Sequence, residues 1–349
     1  MTGRSKERMG WVSVTESHGS VTLQDGGRRG VQRFGVTGGG TMDPHASALA
    51  SRLAGNPPEG VVFELEGPSR LALRCEGVFG LALAGAGAPV SLDGFPVPFW
   101  ARIETDPLRP FVIRIEGTRG SGRWSYLALT GGCRVAPVMG SFGTDLRAGW
   151  GGVEGRRLRA GDRVPLGAAP ARLTGCFSRP GFRIRGQVSP WLRSLVGSAE
   201  PVVRILPGSH WEAFPSSTRE VFLASRYRIT TDSDRMGYRL AGAAIHPEPV
   251  LEIDSEPVAF GSIQIPPDGA PIILMADHPP QGGYPHLAEV IGADLGLLAQ
   301  CRAGDEVRFR LVDEPAALQA LREWRRGFAR LGIGLAADGG GGNGEGRHA

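Results

Sequence analysis

Glycine and proline interrupt this chain at short intervals along its whole length. Its 349 residues include 54 glycines and 27 prolines, spread among short apolar runs. Because both residue types favour turns and are disfavoured inside long helices, this distribution predicts many short strands joined by tight turns. Forty-one per cent of the residues are hydrophobic, which is sufficient for ordinary packed cores. The sequence therefore predicts a mainly β protein, and its length favours two domains over one.

Arginine supplies almost all of the positive charge in a chain whose formal net charge is +4. Lys6 is the only lysine, and it lies close to the N-terminus. A Schiff-base lysine within the folded body and the lysine of a GxxxxGK[ST] phosphate-binding loop are therefore excluded. Basic residues alternate with acidic ones and form no run with interleaved aromatic residues, so nucleic-acid binding is not predicted.

The four cysteines are Cys75, Cys133, Cys176 and Cys301, with no CxxC pair and no histidine at metal-ligand spacing. This pattern predicts neither a metal site nor a disulfide framework, but reduced thiols in a cytosolic protein. No stretch of about 18 apolar residues occurs, and the N-terminal segment lacks a hydrophobic signal core. We therefore expect a cytoplasmic protein that is not associated with a membrane.

One short motif occurs twice and indicates an internal duplication. Residues 158–164 (LRAGDRV) are echoed by residues 301–307 (CRAGDEV), and in both copies a Gly-Asp pair precedes alternating apolar and polar residues. Such a pair is typical of a turn that leads into a strand. An apolar run followed by a glycine-rich turn also lies upstream of each copy. The chain is therefore predicted to consist of two related β-rich halves.

Composition sets the predicted boundaries of these halves, because stretches of Gly, Pro and Ala without periodicity favour linkers and tails. We predict an N-terminal extension at residues 1–20, a first β domain at 21–175, a connector at 176–200, a second β domain at 201–313, a C-terminal helix at 314–337 and a disordered tail at 338–349.

Signals for helices are few. Residues 46–54 are predicted to be helical, with Asp43 as the N-cap, Pro44 at the first helical position and a Gly-Asn-Pro stop. Further helices are predicted at residues 285–300 and 314–330.

The densest cluster of polar side chains lies in the motif TDSDRMGYRL. Asp232 and Asp234 precede Arg235 and Arg239, and Tyr238 lies between the two arginines. Carboxylates orient guanidinium groups through paired hydrogen bonds, and an oriented guanidinium group holds a planar anion such as a carboxylate, a carbamate or a phosphate. The alternative interpretation is a solvated, salt-bridged turn that leads into a strand.

A second candidate is the glycine-rich segment that ends at the first predicted helix. The motifs LQDGGRRGVQ and GVTGGGTMDP lead to Thr41 and Asp43. Glycines let backbone amides approach a ligand, and a helix N-terminus adds unpaired N–H donors, so an oxyanion or anion site is one interpretation. Tight turns that require glycine are the other.

Three further segments contain candidate side chains. His210, beside a tryptophan, is a candidate general acid or base, or a structural or exposed histidine. Gln264 and Asp268 lie in the motif QIPPDG, and Gln281 and Tyr284 lie in DHPPQGGYP. Prolines stiffen these loops, which suits a binding site but also an ordinary hairpin.

Nine motifs follow one another in this chain across residues 21–309. They are LQDGGRRGVQRFGV, GGTMDPHASALASRLAGNP, FELEGPSRL, TDLRAGWGGVEGRRLRAGD, RILPGSHWEAF, TDSDRMGYRL, GSIQIPPDGAPIILMAD, GGYPHLAEVIGADL and RAGDEVRF. The ordered set resembles the biotin-dependent carboxyltransferase family, whose members are also known as the C subunit of 5-oxoprolinase and as allophanate hydrolase subunit 2.

The resemblance implies two tandem cyclophilin-like β-barrel domains with a few short helices. It implies a hydrolase that opens 5-oxoproline to glutamate with ATP, together with partner subunits of the A and B types. An alternative within the family is transfer of a carboxyl group from carboxybiotin to urea or a similar amide, with the biotin on another protein. Both reactions pass through an anionic intermediate, which fixed donors and guanidinium groups can stabilise without a metal. A non-catalytic alternative is a regulatory protein that antagonises a kinase inhibitor.

The resemblance also implies roles for the candidate residues. Arg235 and Arg239 would hold the substrate carboxylate or a phosphorylated intermediate, and the two aspartates of the same motif would orient them. Tyr238 and a loop carboxylate would serve in proton transfer or positioning. The predicted catalytic residues are thus Asp232, Asp234, Arg235, Tyr238 and Asp268, and the predicted substrate-binding residues are Arg239, Thr41, Asp43, His210, Gln264, Gln281 and Tyr284.

Two polar segments of this chain depart from the family pattern. The family usually reads GVPRSGAMD where this chain has GVTGGGTMD, and DRQTTGGYP where it has DHPPQGGYP. Both differences remove side-chain donors, whereas TDSDRMGYRL and the IPPDG loop are unchanged. The sequence therefore leaves open both the substrate and whether the altered segments abolish activity.

Overall fold

The computed structural model describes residues 10–118, 122–168, 182–187, 201–251 and 253–337. Within these ranges the chain forms nineteen strands and four α-helices. Ten strands build an open sheet, seven build a closed barrel, and two form a small separate sheet. The predicted mainly β architecture with two β units in tandem is confirmed, the first unit being an open sheet and the second a barrel.

The first sheet is built around one long antiparallel pair, in which Trp11 lies opposite Glu76 and Gln24 opposite Val62. The strands of the sheet are β1 (Trp11–Gln24), β2 (Val62–Glu76), β3 (Gly80–Gly85), β4 (Val90–Leu92), β5 (Phe95–Pro96), β6 (Ala101–Thr105), β7 (Phe111–Ile115), β8 (Trp124–Leu129), β9 (Arg163–Pro165) and β10 (Phe182–Gln187). Their order is β10-β6-β3-β8-β2-β7-β4-β5, and β1 pairs with both β2 and β9.

Two segments that were predicted to lie outside the β units are strands of this sheet. The N-terminal extension predicted for residues 1–20 is wrong for residues 11–20, because β1 pairs with β2 and buries Val12 and Val14. Strand β10 lies within the predicted connector and pairs with β6. The rest of the connector and the predicted tail at 338–349 lie outside the described residues.

The second half closes into a barrel because its last strand returns parallel to its first. The strands of this half are β11 (Val202–Pro207), β12 (Tyr227–Ile229), β13 (Gly237–Ala241), β14 (Glu256–Pro257), β15 (Ser262–Gln264), β16 (Ile272–Leu274), β17 (Gln281–Gly282), β18 (His286–Val290) and β19 (Glu306–Leu311). The barrel order is β11-β18-β15-β16-β13-β12-β19, and β14 pairs separately with β17.

The helices are α1 (Pro44–Leu53), α2 (Ser216–Ala224), α3 (Leu295–Ala299) and α4 (Glu314–Ala337), with 3₁₀ turns at Gln32–Phe34 and Trp211–Ala213. Helix α1 starts as predicted, since the Asp43 carboxylate accepts hydrogen bonds from the backbone N–H groups of His45 and Ala46. Helix α4 confirms the prediction at 314–330 and continues to Ala337. No helix in the described ranges is both long enough and apolar enough to cross a membrane.

The helix predicted at residues 285–300 is largely wrong. Residues His286–Val290 form strand β18, which pairs with β11 and β15, and only Leu295–Ala299 are helical. Barrel closure across distant strands decides the structure here over local helix signals.

The sheet is buried on both faces where it meets the barrel. Along β8, Leu127 and Leu129 pack into the core of the sheet, whereas Tyr126 and Ala128 pack into a second core shared with α1 and the barrel. This alternation follows from the two-residue period of a strand. Helix α4 packs over the outside of α1, with the ring of Trp324 centred 4.4 Å from that of His45. The two β units therefore share one continuous apolar junction.

The duplicated RAGD motif forms the same turn in both halves. Gly161 and Gly304 have φ values of +96° and +95°. The N–H of Gly161 donates to a carbonyl on β1 (2.8 Å), and the N–H of Gly304 donates to a carbonyl on β12 (2.8 Å). In each turn the aspartate carboxylate accepts from the N–H of the arginine three residues earlier, at 2.8 Å in both copies. The sequence repeat therefore corresponds to a repeated structural unit.

Candidate functional site at the junction of the sheet and the barrel

Two glycine-rich loops cross at the N-terminal end of α1. Gly27 in the first loop and Gly39 and Gly40 in the second have φ values of 79°, 62° and 93°. A Cβ atom on Gly40 would lie 2.9 Å from the backbone nitrogen of Gly27, so the two backbones can touch only without side chains there. The N–H of Thr41 donates to the carbonyl oxygen of Asp25 (3.1 Å) beside the crossing. Glycine thus permits a close backbone contact that ends at the helix.

Arg28 follows the first loop and has only 2% of its surface exposed. Its Nη2 donates to the carbonyl oxygen of Gly143 (2.8 Å), and its Cζ lies 5.9 Å from the ring centroid of Trp150. Its Nε and Nη1, like the Nε1 of Trp150, are buried and have no hydrogen-bond partner within the described residues. A buried charge with unpaired donors is unfavourable unless a counter-charge completes it. The geometry therefore favours an anion at this position.

Asp145 is a carboxylate near Arg28, and it is already engaged by other donors. Its oxygens accept from the backbone N–H groups of Arg147 (3.0 Å) and Ala148 (2.9 Å) and from the hydroxyl of Thr37 (2.9 Å). Burial opposes ionisation of Asp145, but these hydrogen bonds and the nearby Arg28 hold its pKa below the usual value. Asp145 is thus a capped turn residue, and it leaves the two donors of Arg28 unpaired.

On the barrel side of the junction, Arg235 is surrounded by acceptors. Its Nε and Nη2 donate to both carboxylate oxygens of Asp277, at 2.7 and 2.8 Å. Its Nη1 donates to Glu64, a residue of β2, and its Nη2 also donates to the carbonyl oxygen of Gly40 (2.6 Å). Burial alone would lower the pKa of Arg235, but the two carboxylates outweigh it and raise that pKa. Arg235 therefore joins the barrel to the sheet by a buried network of one guanidinium group and two carboxyl groups.

Glu64 is the most deeply buried acid of this network, with 1% of its side chain exposed. It also accepts from the N–H of Met42 (2.8 Å) and from the hydroxyl of Tyr126 (2.9 Å). Burial raises the pKa of Glu64 to about 7, although Arg235 opposes the shift. A buried carboxyl group that titrates near neutrality is a candidate for holding or releasing a proton.

The turn at residues 38–40 separates Arg28 from the Arg235 network. A Cβ atom on Gly39 would lie 3.2 Å from Nη1 of Arg28 and 3.8 Å from Oδ1 of Asp277. One side of the turn thus carries a guanidinium group with free donors, and the other side carries buried carboxylates. Together these groups can bind an anion and exchange a proton beside it. We define this set, Arg28, Trp150, Glu64, Arg235 and Asp277 around the turn, as the junction site.

Four of the residues predicted from sequence lie at the junction. Thr41 and Arg235 adjoin the glycine turn, as described above. Asp43 is buried, and its second carboxylate oxygen accepts from Nε2 of Gln300 (2.8 Å); burial raises its pKa to about 6. The hydroxyl of Tyr238 is buried and donates to the carbonyl oxygen of Ala299 (2.8 Å), and burial raises its pKa. Tyr238 therefore supports the junction, and its geometry does not favour the predicted proton transfer.

Four other predicted residues lie away from the junction. The prediction that Asp232 and Asp234 orient Arg235 is wrong, because Arg235 pairs with Glu64 and Asp277 instead. The carboxylate of Asp234 accepts from the N–H of Met236 (2.8 Å) in its own turn, and Asp232 is exposed. Arg239 is also exposed, and it points away from the barrel core between two buried residues of β13. Asp268 is exposed as well, and its carboxylate accepts from the N–H of Ala270 (3.0 Å) in its own loop.

The remaining four predicted residues gather at one end of the barrel, where a second polar cluster lies. Gln264 is 4% exposed, its Nε2 donates to the carbonyl oxygen of Tyr284 (3.2 Å), and it lies opposite His286 in the β15–β18 pair. His210 accepts from the backbone N–H of His286 (3.1 Å). Gln281 is exposed on β17. In the part of the chain that the structure covers, no three His, Cys, Asp or Glu side chains are placed to hold a metal ion.

Sequence reasoning missed the central residues of the junction site, namely Arg28, Glu64 and Asp277. A signal for Glu64 exists, since it is a charged residue inside the apolar run VVFELEG, at a position where the neighbouring residues are buried. Arg28 follows a glycine-rich loop, and Asp277 precedes a proline-rich loop. Such positions are only a weak signal for a functional residue.

Comparison with known proteins places this geometry in a family context. Residues 34–311 match the family model described as "Carboxyltransferase domain, subdomain A and B". The chain is 34% identical to the C subunit of the 5-oxoprolinase of Escherichia coli over 318 residues, covering 89% of this chain and 94% of that protein. It is 31% identical to a putative urea carboxylase of Emericella nidulans over 328 residues, covering 89% of this chain but 25% of that protein.

Solved structures show the same fold. The structure of TTHA0988 superimposes with a TM-score of 0.71 at 30% identity, covering 88% of this chain and 56% of that chain. This chain therefore corresponds to little more than half of TTHA0988. The urea carboxylase of Kluyveromyces lactis superimposes with a TM-score of 0.76 at 24% identity, covering 93% of this chain and 29% of that chain.

Proposed function

This chain belongs to the family of carboxyltransferase domains, subdomains A and B, and on that premise we propose that it is the C-type subunit of a 5-oxoprolinase-like complex. The complex opens 5-oxoproline to glutamate at the expense of ATP, and it contains partner subunits of the A and B types. The C subunit of the Escherichia coli 5-oxoprolinase is a relative over nearly the full length of both chains, which supports this assignment over the others.

The observation that carries the proposal is the buried guanidinium group of Arg28, whose Nε and Nη1 have no partner among the described residues. A carboxylate matches this group in charge, and each of the two unpaired N–H groups can donate to an anionic oxygen. 5-Oxoproline carries one carboxylate, and ring opening builds negative charge on its amide oxygen. We assign Arg28 to the substrate anion, with the Nε1 of Trp150 as a further donor.

Glu64 supplies the second element of the proposed chemistry. Its pKa of about 7 allows it to take up or release a proton near neutral pH, and Arg235 and Tyr126 hold it in place. Opening a lactam requires a proton on the leaving nitrogen, and a buried acid close to the anion site can provide it. ATP binding is assigned to the complex as a whole, since this chain has no lysine-containing phosphate loop.

A second candidate function is carboxyl transfer from carboxybiotin to urea or a similar amide. Its support is the 31% identity to a putative urea carboxylase over most of this chain. The same anion site would then stabilise the carboxylated acceptor. The biotin would be carried by another protein, because the only lysine of this chain, Lys6, is not preceded by a methionine.

The test uses the chain co-expressed with A- and B-type subunits and measures glutamate released from 5-oxoproline and ATP. We expect Arg28→Met to lower kcat/KM by about 100-fold, as for loss of one charge-stabilising donor. Arg29→Met is the matched control, because the side chain of Arg29 is 75% exposed. Among the described residues its ion pair is with the exposed Glu59, at 2.6 Å. Its activity should stay within about twofold of the wild type.

Three outcomes separate the alternatives. An assembled complex that releases no glutamate rejects the 5-oxoprolinase assignment, and biotin- and urea-dependent carboxyl transfer by the same preparation then supports the second candidate. An assembled complex without either activity favours the regulatory interpretation. Full activity in Arg28→Met rejects the role assigned to Arg28 whichever reaction is observed.

A further inference from the structure

A hydroxyl, an imidazole and a carboxylate lie one after another at the end of the barrel, and none of them belongs to the junction site. The Oγ of Ser209 lies 3.4 Å from Nδ1 of His286, and Nε2 of the same ring lies 3.0 Å from Oε2 of Glu289. The hydroxyl of Ser262 donates to the same carboxylate oxygen at 2.8 Å. The order of groups is that of a serine nucleophile, its base and the residue that orients the base.

The backbone holds this arrangement in place. Ser209 follows β11 in a turn that is anchored to β18, since the N–H of Gly208 donates to the carbonyl of Leu287 (2.9 Å) and the N–H of His210 donates to that of His286 (3.0 Å). A Cβ atom on Gly208 would lie 2.8 Å from the backbone nitrogen of Ala288, so only glycine allows this approach. The serine is exposed, whereas the side chain of His286 is 15% exposed.

The protons of the cluster can be assigned from its hydrogen bonds. His286 donates from Nε2 to the Glu289 carboxylate, so its Nδ1 is left with a lone pair that faces Ser209. The Nδ1 of His210 lies 3.1 Å from the Oγ of Ser209, but its single lone pair accepts from the backbone N–H of His286 (3.1 Å). The third neighbour, Oε1 of Glu256, is an acceptor at 3.1 Å.

Ser209 thus has two acceptors, Oε1 of Glu256 and Nδ1 of His286, and no donor among these neighbours. The hydroxyl donates to Oε1 of Glu256 at 3.1 Å, and rotation about its C–O bond would direct the same proton to Nδ1 of His286, 3.4 Å away. A hydroxyl in this state is an activated nucleophile when the base is an oriented neutral imidazole.

The charge around the serine limits the compounds that it can attack. Glu256 belongs to β14 and lies beside Ser209, and its side chain is 28% exposed. Strand β14 pairs with β17, close to Gln264. A carboxylate at this distance repels anionic acyl groups. The accessible substrates are therefore small neutral or cationic carboxylic esters and activated amides.

We propose that Ser209, His286 and Glu289 form an esterase-type acyl-transfer site, independent of the proposed reaction at the junction. The Oγ of Ser209 bonds to the ester carbonyl carbon, and its proton passes to Nδ1 of His286. The C–O bond to the alcohol then breaks, and the leaving oxygen takes the proton from the imidazolium. Water attacks the acyl-serine in the same way, releasing the carboxylic acid and restoring the hydroxyl. Glu289 is a positioning residue that fixes the tautomer of His286.

The proposal is tested on the full chain with a neutral alkyl fluorophosphonate, which bonds to an activated serine oxygen with loss of fluoride. We expect stoichiometric labelling by intact mass, located at Ser209 by peptide mapping. Ser209→Ala abolishes the label, and the matched control Ser217→Ala, a change of an exposed serine on α2, leaves it unchanged. Hydrolysis of p-nitrophenyl acetate is the second readout and follows the same order.

His286→Gln should slow labelling at Ser209 by about 100-fold, the lower end of the usual contribution of a general base. Circular dichroism and thermal melting show whether that variant is folded. Should it not fold, Glu289→Gln provides the readout, since its side chain is 29% exposed and the change is isosteric. Labelling that is absent from the wild type, that lies at another residue, or that is unaffected in both His286→Gln and Glu289→Gln overturns the proposal.

Discussion

Replacing Arg235 with alanine tests whether the junction network stabilises the fold or serves substrate directly. Arg235 is 11% exposed and donates to Asp277, Glu64 and the carbonyl oxygen of Gly40. The variant leaves Glu64, which is 1% exposed, without its counter-charge. Removal of one partner from a buried ion pair costs about 3–5 kcal/mol, and we expect Arg235→Ala to lower the free energy of unfolding by that amount at about pH 8.

The cost should depend on pH in a defined direction. Burial already raises the pKa of Glu64 from 4.5 to about 7, against the opposing effect of Arg235. A group whose pKa is higher in the folded than in the unfolded state stabilises the fold fully below the unfolded value and loses that effect as pH rises through the folded value. Without Arg235 the folded value rises further. The gap between variant and wild type should therefore be smallest near pH 4.5 and widen above about pH 7.

Urea denaturation followed by tryptophan fluorescence, at about pH 5 and about pH 8, measures both effects. The double variant Arg235→Met with Glu64→Gln removes both charges of the Arg235–Glu64 pair. It should recover at least half of the unfolding free energy that Arg235→Ala loses at the higher pH. A loss below about 1 kcal/mol at about pH 8, or a gap that grows on acidification, refutes the reasoning. A stable variant with a raised KM in the reconstituted complex would instead restore the substrate-holding role predicted from sequence.

Two further outcomes follow from packing. Gly40→Ala should destabilise the chain by about 1–3 kcal/mol more than Gly55→Ala. Both residues have positive φ, but only at Gly40 would the added Cβ meet neighbouring backbone, 2.9 Å from the nitrogen of Gly27. Thermal melting of the two variants measures the difference. The thiols of Cys75, Cys133 and Cys301 are buried, and burial raises the pKa of each, that of the last two to about 12. They should resist iodoacetamide in the native chain at about pH 8 and react once it is unfolded, as mapped by peptide mass.

Elements defined by local signals could be predicted from sequence. Helix α1 begins where Asp43 and Pro44 indicate, and both RAGD turns form as their Gly-Asp pairs predict. Segments defined by distant pairing could not. Residues His286–Val290 become a strand because β11 and β15 flank them in the barrel, and β1 is held by β2 almost forty residues later along the chain. For β1, the alternation of Val12 and Val14 with polar residues was a usable sequence signal for a strand.

The candidate site was harder to predict for the same reason. Arg235 was singled out from sequence as a residue that holds the substrate anion, but its partners Glu64 and Asp277 lie 171 and 42 residues away in the chain. The nearby aspartates looked like its partners because they are close in sequence, yet the turn directs Asp234 back to its own backbone. Arg28 has no sequence feature that distinguishes it from Arg29, and only burial separates the two.

The turn at residues 38–40 is contacted from both sides, by Arg28 from the loop after β1 and by Arg235 from the turn before β13. The carbonyl oxygen of Gly40 accepts the bond from Arg235, while Gly39 adjoins the Arg28 guanidinium group. A ligand that shifts this turn would alter a hydrogen bond of the barrel without touching the barrel itself. The three glycine residues at 38–40 thus form a backbone segment whose position bears on the hydrogen bonding of both halves of the chain.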